Sequence, residues 1–404
     1  MIASAVRWSV MLVAAWLAQA AAADDAKAQP LTVSVVYLSR EESMRPPRAS
    51  LLEPANARYG EEGADFGLQE INNSGRFLHI QYQMIKVVVP AGADMGAALK
   101  KSLADRRLLI VADLEARDLL TVADLPEARD AVILDARTSD DSLRGVDCRA
   151  NVFHLLPSWA MRADALGQYL AVRNWKRWFL LRGMQPADQE FIAAIKRTAT
   201  RFGATVVTEK TFDLHSDSVD EAAGRQQIQA RIPDITKVEA PYDALLVADT
   251  QGTFGDYLLF NTADSRLVAG THGMVAEAWD SQFREYAARG VLLRFYRAES
   301  REMTERDYGN FLAMAVIAEA ITRGGSTDAP FVKAYLLSDR FSVAGNKGEG
   351  LTFRRWDQQL RQPLLLFGPR VLVSMAPSSQ YRHAKFQTDT LGVDESESQC
   401  RRTH

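Results

Sequence analysis

The sequence predicts an α/β protein of two similar lobes, each built on a parallel central sheet, and three observations lead there. Short β-rich runs alternate with longer helical patterns, the arrangement in which crossover helices join parallel strands. The alternation runs through twice, with a fresh series starting near Trp159. At 404 residues the chain is also well above the usual ~100 to 200 residues of one domain.

In the first series, Leu31 to Leu38 reads as a strand and Gly60 to Asn72 as a helix, with Ala64, Gly67, Leu68 and Ile71 on one face. Strands follow at Ile80 to Val88, Leu108 to Ala112, Ala131 to Asp135 and Val152 to Leu155. The last three are short apolar runs, which suits buried parallel strands. The second series has a helix from Trp159 to Arg173 with Leu166, Tyr169 and Leu170 inward, then a strand at Trp178 to Leu181. Helix Ala187 to Phe202 places Phe191, Ile195, Ala199 and Phe202 on one stripe and stops at Gly203, a left-handed cap. Strands at Thr205 to Thr208, Ala244 to Ala248 and Leu267 to Ala269 complete it, with a polar, partly helical insertion over Asp213 to Pro241. A strong helix, Glu305 to Arg323, turns Tyr308, Leu312, Val316, Ala320 and Ile321 inward and ends at Gly324 and Gly325. Beyond Pro377 periodicity disappears and polar residues dominate, so residues 377–404 are expected to form a mobile tail.

Residues 1–23 have the pattern of a cleavable signal peptide: Arg7, an apolar core from Val10 to Ala18, and small residues Ala20 to Ala23 before Asp24. An uncleaved amino-terminal anchor is the alternative, although the core is shorter than the roughly 20 residues of a membrane span. Either reading puts the body outside the cytoplasm, in the periplasm if the segment is cleaved. Hydrophobic residues make up 47% and charged residues 25%, an ordinary globular balance, and a formal net charge of -3 supplies no general attraction to nucleic acid or anionic lipid. The two cysteines, Cys148 and Cys400, lack metal-site spacing. They could form one disulfide tying the tail to the body, or remain two thiols.

The motifs that carry catalysis are missing: there is no phosphate-binding G-x-x-x-x-G-K-S/T loop, no H-E-x-x-H and no G-x-S-x-G elbow. The histidines His79, His154, His215, His272, His383 and His404 are scattered, so no metal and no cofactor is expected. Acidic residues do gather after predicted strands, as Asp113, Glu115 and Asp118 and as Asp135, Asp140 and Asp141. Ligands of open parallel sheets bind beyond the carboxyl ends of the strands. These loops could therefore supply a general acid and base, hold a hard cation, or be solvated charged turns.

Several stretches, taken together, resemble the type I periplasmic binding proteins of ABC importers, the leucine/isoleucine/valine-binding-protein family. Gly63-Ala-Asp-Phe-Gly-Leu-Gln-Glu-Ile-Asn72 is similar to its first helix. Asn151-Val-Phe-His-Leu-Leu-Pro-Ser158, Ala163 to Leu170 and Trp175 to Leu181 resemble the passage into the second lobe, and Tyr308 to Thr327 with Gly324-Gly-Ser-Thr-Asp328 resembles the late helix. The resemblance implies two Rossmann-like lobes joined by a three-crossing hinge, the type I periplasmic binding protein fold. It divides the chain into residues 24–155 plus 291–338 as the first lobe and 156–290 plus 339–376 as the second. It further implies a monomer that performs no chemistry, holds a small molecule between the lobes and meets a membrane permease.

By position, the ligand loops implied are 39–52, 113–116 and 135–139 in the first lobe and 182–188, 249–254 and 271–274 in the second. The site residues expected within or beside them are Asp113, Glu115, Ala136, Arg137, Thr138, Trp159, Gln185, Asp249, Phe254, Thr271 and His272. Trp159 and Phe254 are candidate aromatic walls or ordinary packing, and Trp279 is a weaker wall candidate. The departures bear on the ligand. Ala112-Asp-Leu-Glu-Ala116 replaces the small loop that receives an amino-acid carboxylate, Asp135 replaces a proline, and His154 stands where the family often has arginine. A plain aliphatic amino acid therefore fits poorly. The altered loops also resemble a branch associated with pyrroloquinoline-quinone-dependent alcohol oxidation, which implies an alcohol, an aldehyde, a derived acid or the quinone cofactor as ligand. The alternatives are a sensory or accessory binder without transport, and a hydrolase using Asp113, Glu115 or Asp135.

Overall fold

The computed structural model describes residues 30–42, 54, 57–213 and 221–401. The proposed signal segment and most of the 39–52 loop lie outside the described residues. No helix among the described residues is long and apolar enough to cross a membrane.

The first lobe carries β1 (Leu31–Arg40), α1 (Glu61–Gly75), β2 (Ile80–Val89), α2 (Met95–Ala104), β3 (Leu109–Asp113), α3 (Ala116–Ala123), β4 (Val132–Asp135) and β5 (Val152–His154). Its strands form one parallel sheet in the order β2-β1-β3-β4-β5. The second lobe carries α4 (Trp159–Val172), β6 (Arg177–Arg182), α5 (Pro186–Phe202), β7 (Thr205–Thr211), α6 (Glu221–Thr236), β8 (Ala244–Ala248), α7 (Leu258–Asn261), β9 (Leu267–Gly270) and β10 (Met274–Glu277). There the order β7-β6-β8-β9-β10 repeats the first lobe's pattern strand for strand, all parallel. In both sheets the order reverses beside the first strand of its series, which opens a crevice at the carboxyl ends.

The chain then gives α8 (Ala288–Glu299), α9 (Glu305–Gly324) and α10 (Ala329–Leu336), which pack with the first lobe. It ends with β11 (Val343–Ala344), β12 (Gly350–Phe353), β13 (Leu360–Arg361), β14 (Leu364–Gly368) and β15 (Val371–Ala376). The hairpin β14–β15 adds antiparallel to β10 on the second sheet, and β11 to β13 form a small antiparallel sheet of their own. The chain thus passes between the lobes three times: after β5, after β10 and after α10.

Helix α9 packs directly on α1, and small residues make that approach feasible. A Cβ on Gly63 would lie 2.2 Å from the Asp307 carbonyl oxygen, and one on Gly67 would press on Met314 at 3.0 Å. Thr304 caps α9 by accepting from the Asp307 N–H at 3.2 Å. The helix runs one residue further than its sequence pattern suggests, and Gly325 alone takes the left-handed stop, at φ 80°. In the second lobe Leu166, Leu170, Phe191, Ile195 and Ala199 fill one face of the sheet as their spacing predicts, and Gly203 caps α5 at φ 65°. Tyr169 is only partly buried, with the Arg173 guanidinium 3.5 Å from its ring.

The expected mobile tail is corrected by the structure for its described residues. Leu391 is fully buried, and the buried Asp164 carboxylate accepts from the Gly392 N–H at 2.9 Å between Arg197 and Arg201. Arg354 donates to the Leu391 carbonyl at 2.6 Å and Arg361 to Asp389 at 2.7 Å. Cys400 closes a disulfide with Cys148, 252 residues earlier in the chain, so the first of the two alternatives for the cysteines holds. Periodicity was blind to this segment because buried arginines hold its backbone carbonyls; no helix or strand face of its own does so. Because a cross-link restricts the unfolded chain, Cys400→Ser is expected to lower the unfolding free energy by about 2–5 kcal/mol. Urea denaturation of the variant and of the reduced wild type checks this, and equal stability of all three would contradict it.

Candidate ligand cleft

The carboxyl ends of β3 and β4 face those of β8 and β9 across a cavity of about 690 Å³. One wall carries Glu115, Arg137, Thr138 and Asp140 from the first lobe, with Glu305 and Arg306 from the first turn of α9. The other carries Trp159, Arg162 and Phe191 from α4 and α5, the loop Asp249 to Gly252, Thr271 and His272, and Glu277 at the end of β10.

Of the expected site residues, Glu115, Arg137, Thr138, Trp159, Asp249, Thr271 and His272 border this space. Trp159 packs against Phe191 with ring centroids 5.0 Å apart and presents an aromatic surface. Asp249 is 3% exposed and works for its own loop, accepting from the N–H groups of Thr253 at 2.9 Å and of Phe254 and Gly255 at 2.7 Å. The Thr271 hydroxyl accepts from the Asp249 N–H at 2.9 Å and lies 3.0 Å from His272 Nδ1. Gly255 leaves room for that imidazole, because a Cβ there would lie 2.2 Å from Nδ1.

Four expected residues do not line the cavity. Asp113 is buried and accepts from the Tyr37 hydroxyl and from Arg306 Nε, both at 2.8 Å. Ala136 is buried, and its carbonyl lies so close to α9 that a Cβ on Gly309 would come within 2.6 Å of it. Gln185 caps α5, donating its backbone N–H to Asp188 at 3.0 Å. Phe254 is 1% exposed and stacks on Phe212 at 4.5 Å, so it is core and no wall. Trp279, the weaker candidate, is likewise core, stacked on Tyr308 at 4.5 Å. Short aromatic-containing loops look alike in sequence whether their ring turns inward or outward.

Asp135 is not free to act as an acid or base either. It accepts from the Thr138 N–H at 3.0 Å and hydroxyl at 2.5 Å, and it meets His154 Nδ1 at 2.7 Å. Burial alone would raise its proton affinity, but the His154 contact and the positive field of Arg144 hold the carboxyl below the usual range. Both buried acids of the hydrolase reading are thus consumed by internal bonds. Among the described residues no group of three or more His, Cys, Asp or Glu is placed to hold a metal ion.

Sequence reasoning missed Arg162, Phe191 as a wall, Glu277, Glu305 and Arg306. Four of these stand on helices near the amino-terminal turns that face the cleft, a positional signal that periodicity does not use. Glu277 was missed with its strand. Arg162 reaches across the lobes to Glu305 at 2.7 Å and donates to the Ala276 carbonyl at 2.8 Å.

A family model described as periplasmic binding protein matches residues 53–368. The chain belongs to this family. Solved structures agree in fold. A branched chain amino acid ABC transporter periplasmic ligand-binding protein from Burkholderia xenovorans LB400 is 15% identical, with a TM-score of 0.67 over 91% of this chain and 99% of that one. A leucine-, isoleucine-, valine-, threonine- and alanine-binding protein from Brucella ovis, in a closed conformation, is 15% identical with a TM-score of 0.63 over 84% and 90%. A solute binding protein of an ABC transporter from R. palustris, in complex with benzoate, is 12% identical with a TM-score of 0.62 over 92% and 99%. No curated protein matches by sequence. The chain is therefore a periplasmic binding protein with the two-lobed type I fold.

In this periplasmic binding protein the Arg162–Glu305 pair is a direct side-chain ion pair across the cleft. Its side chains are 11% and 17% exposed, so solvent screens it only in part. Glu305→Ala leaves Arg162 without its carboxylate and is expected to cost about 1.5–3 kcal/mol, and it frees the lobes to part. Urea denaturation reads the loss and small-angle scattering a larger radius of gyration; an unchanged radius would reject the lobe-coupling role.

Proposed function

We propose that this protein is the solute-binding component of an ABC importer, a monomer in the periplasm that closes its lobes over one small molecule and presents the closed form to a membrane permease. The observation that carries the reading is the cavity of about 690 Å³ whose walls come from both lobes at the carboxyl ends of matching sheets. The site residues proposed to touch ligand are Glu115, Arg137, Thr138, Trp159, Thr271 and His272, with Asp249 holding its loop in shape.

We further propose that the solute belongs to alcohol oxidation linked to pyrroloquinoline quinone: an alcohol, an aldehyde, a derived acid or the quinone itself. The Trp159–Phe191 surface supports a flat or ring-bearing ligand, and a relative of the same fold is described in complex with benzoate. Micromolar affinity corresponds to about -8 kcal/mol. About 100 Å² of buried apolar ligand surface supplies roughly 2.5 kcal/mol, and charged hydrogen bonds about 1.5–3 kcal/mol each. One aromatic wall and a few polar contacts suffice.

A thermal-shift screen over alcohols, aldehydes, organic acids, quinones and amino acids tests this reading. A ligand at a hundredfold excess over Kd should stabilise the fold by about 2.7 kcal/mol, and silence across the library with folded protein would refute it. Trp159→Ala, compared with the wild type at a temperature where both are folded, should then weaken a ring-bearing ligand on the order of tenfold. Calorimetric titration of both proteins measures the ratio. Capture of a permease from membranes by the ligand-loaded protein separates delivery from sensing.

A further inference from the structure

We propose that the cleft selects an uncharged, hydroxyl-bearing ligand over its carboxylate counterpart, and that Glu277 is the residue that makes the distinction. This rests on the cleft being the solute site. Guanidinium groups are the natural receivers of a ligand carboxylate, and three arginines border the cavity. Each is already engaged. Arg137 pairs with Glu42 at 3.2 Å and with Glu115. Arg306 holds Asp113 at 2.8 Å and also Glu42. Arg162 pairs with Glu305 and donates to the Ala276 carbonyl, and its Nε, with no partner among the described residues, is buried. An entering carboxylate would have to share a guanidinium with one of the carboxylates it already holds. It would do so facing Glu115, Asp140, Asp249 and Glu305, so that four lining acids besides Glu277 stand against three arginines.

Glu277 differs from the other acids. It closes β10, borders the cavity from the second lobe, and its carboxyl has no hydrogen-bond partner among the described residues. Three charged groups surround it: Glu305 from α9 and Asp280 from the crossing after β10 repel its charge, and Arg162 from α4 attracts it. Burial and Glu305 prevail, and the carboxyl is pushed up to about 8. At neutral pH it is therefore mostly protonated, offering one O–H donor and an acceptor oxygen. That pair matches an alcohol, which both donates and accepts, whereas a carboxylate can only accept. As pH rises through 8, Glu277 ionises. It then still accepts from a ligand hydroxyl but adds a negative charge against a ligand carboxylate.

Matched pairs sharing one skeleton test the inference: benzyl alcohol against benzoate and 1-butanol against butyrate, titrated calorimetrically at pH 6.5 and 9. In the wild type the alcohol of a pair should bind on the order of tenfold tighter, and the ratio should widen at least about threefold by pH 9 as the acid's affinity falls. In Glu277→Gln, checked for an unchanged melting temperature, the widening should vanish. Carboxylates binding as tightly as alcohols, or the same pH slope in Glu277→Gln, would overturn the assignment. If no pair binds while some other solute does, the alcohol preference is lost and the transport reading stands. Failure of every solute takes both down.

Discussion

Three consecutive charged residues in the first turn of α9 hold the two lobes in register. Glu305 accepts from Arg162 of the second lobe and from the Ala278 N–H at the hinge. Arg306 binds Asp113 at the end of β3. Asp307 turns inward to Arg301 at 2.6 Å and to the Gly60 N–H at 2.8 Å, where Arg301 also holds Glu62. One helical turn therefore fixes the end of a sheet strand, the start of α1 and the opposite lobe. Asp307 and the Arg301 side chain are fully buried, and removing one partner of such a pair is strongly destabilising because it strands the other charge. The capping box of Thr304 and Asp307 sets the direction in which all three side chains leave the helix.

The cleft inherits its character from this arrangement. Parallel sheets with matching strand order direct their loops into the shared crevice, and those loops carry more acids than bases. The acids Asp113, Asp135 and Asp249 serve internal bonds: one to Arg306, one to Thr138 and His154, one to the N–H groups of its own loop. Such saturation gives a rigid wall with little freedom to do acid–base chemistry, which is what a protein that holds a solute unchanged requires. The carboxyl left without an internal partner among the described residues is that of Glu277, which borders the same cavity as the flat surface of Trp159 and Phe191.

The carboxy-terminal segment shows how two lobes can be braced without regular structure. It crosses the outer face of α4 and α5, where Asp164, Arg197 and Arg201 grip Gly392, and continues to the disulfide with Cys148 of the first lobe. Buried arginines Arg354 and Arg361 serve as its hydrogen-bonding core. An arginine suits this role because its fixed fork of donors can satisfy several backbone carbonyls and a carboxylate at once.

By itself the sequence determined the alternation of strands and helices and the doubling of the lobes, because these follow from local hydrophobic period and turn chemistry. The β-rich runs at Leu31, Trp178 and Ala244 and the helix from Glu305 are legible for that reason. Short elements such as α2, α3 and β10 were not, since a few apolar residues serve helix, strand or loop equally well. Tertiary structure alone decided which charges remain available. Asp113, Asp249 and Phe254 look like site residues in the chain but are claimed by partners far away in sequence or by their own loop. Arg162, Glu277 and Glu305 meet only once both lobes are folded. A side chain's vacancy depends on neighbours 100 or more residues distant, as Arg162 and Glu305 are at a separation of 143, and local pattern carries no record of them.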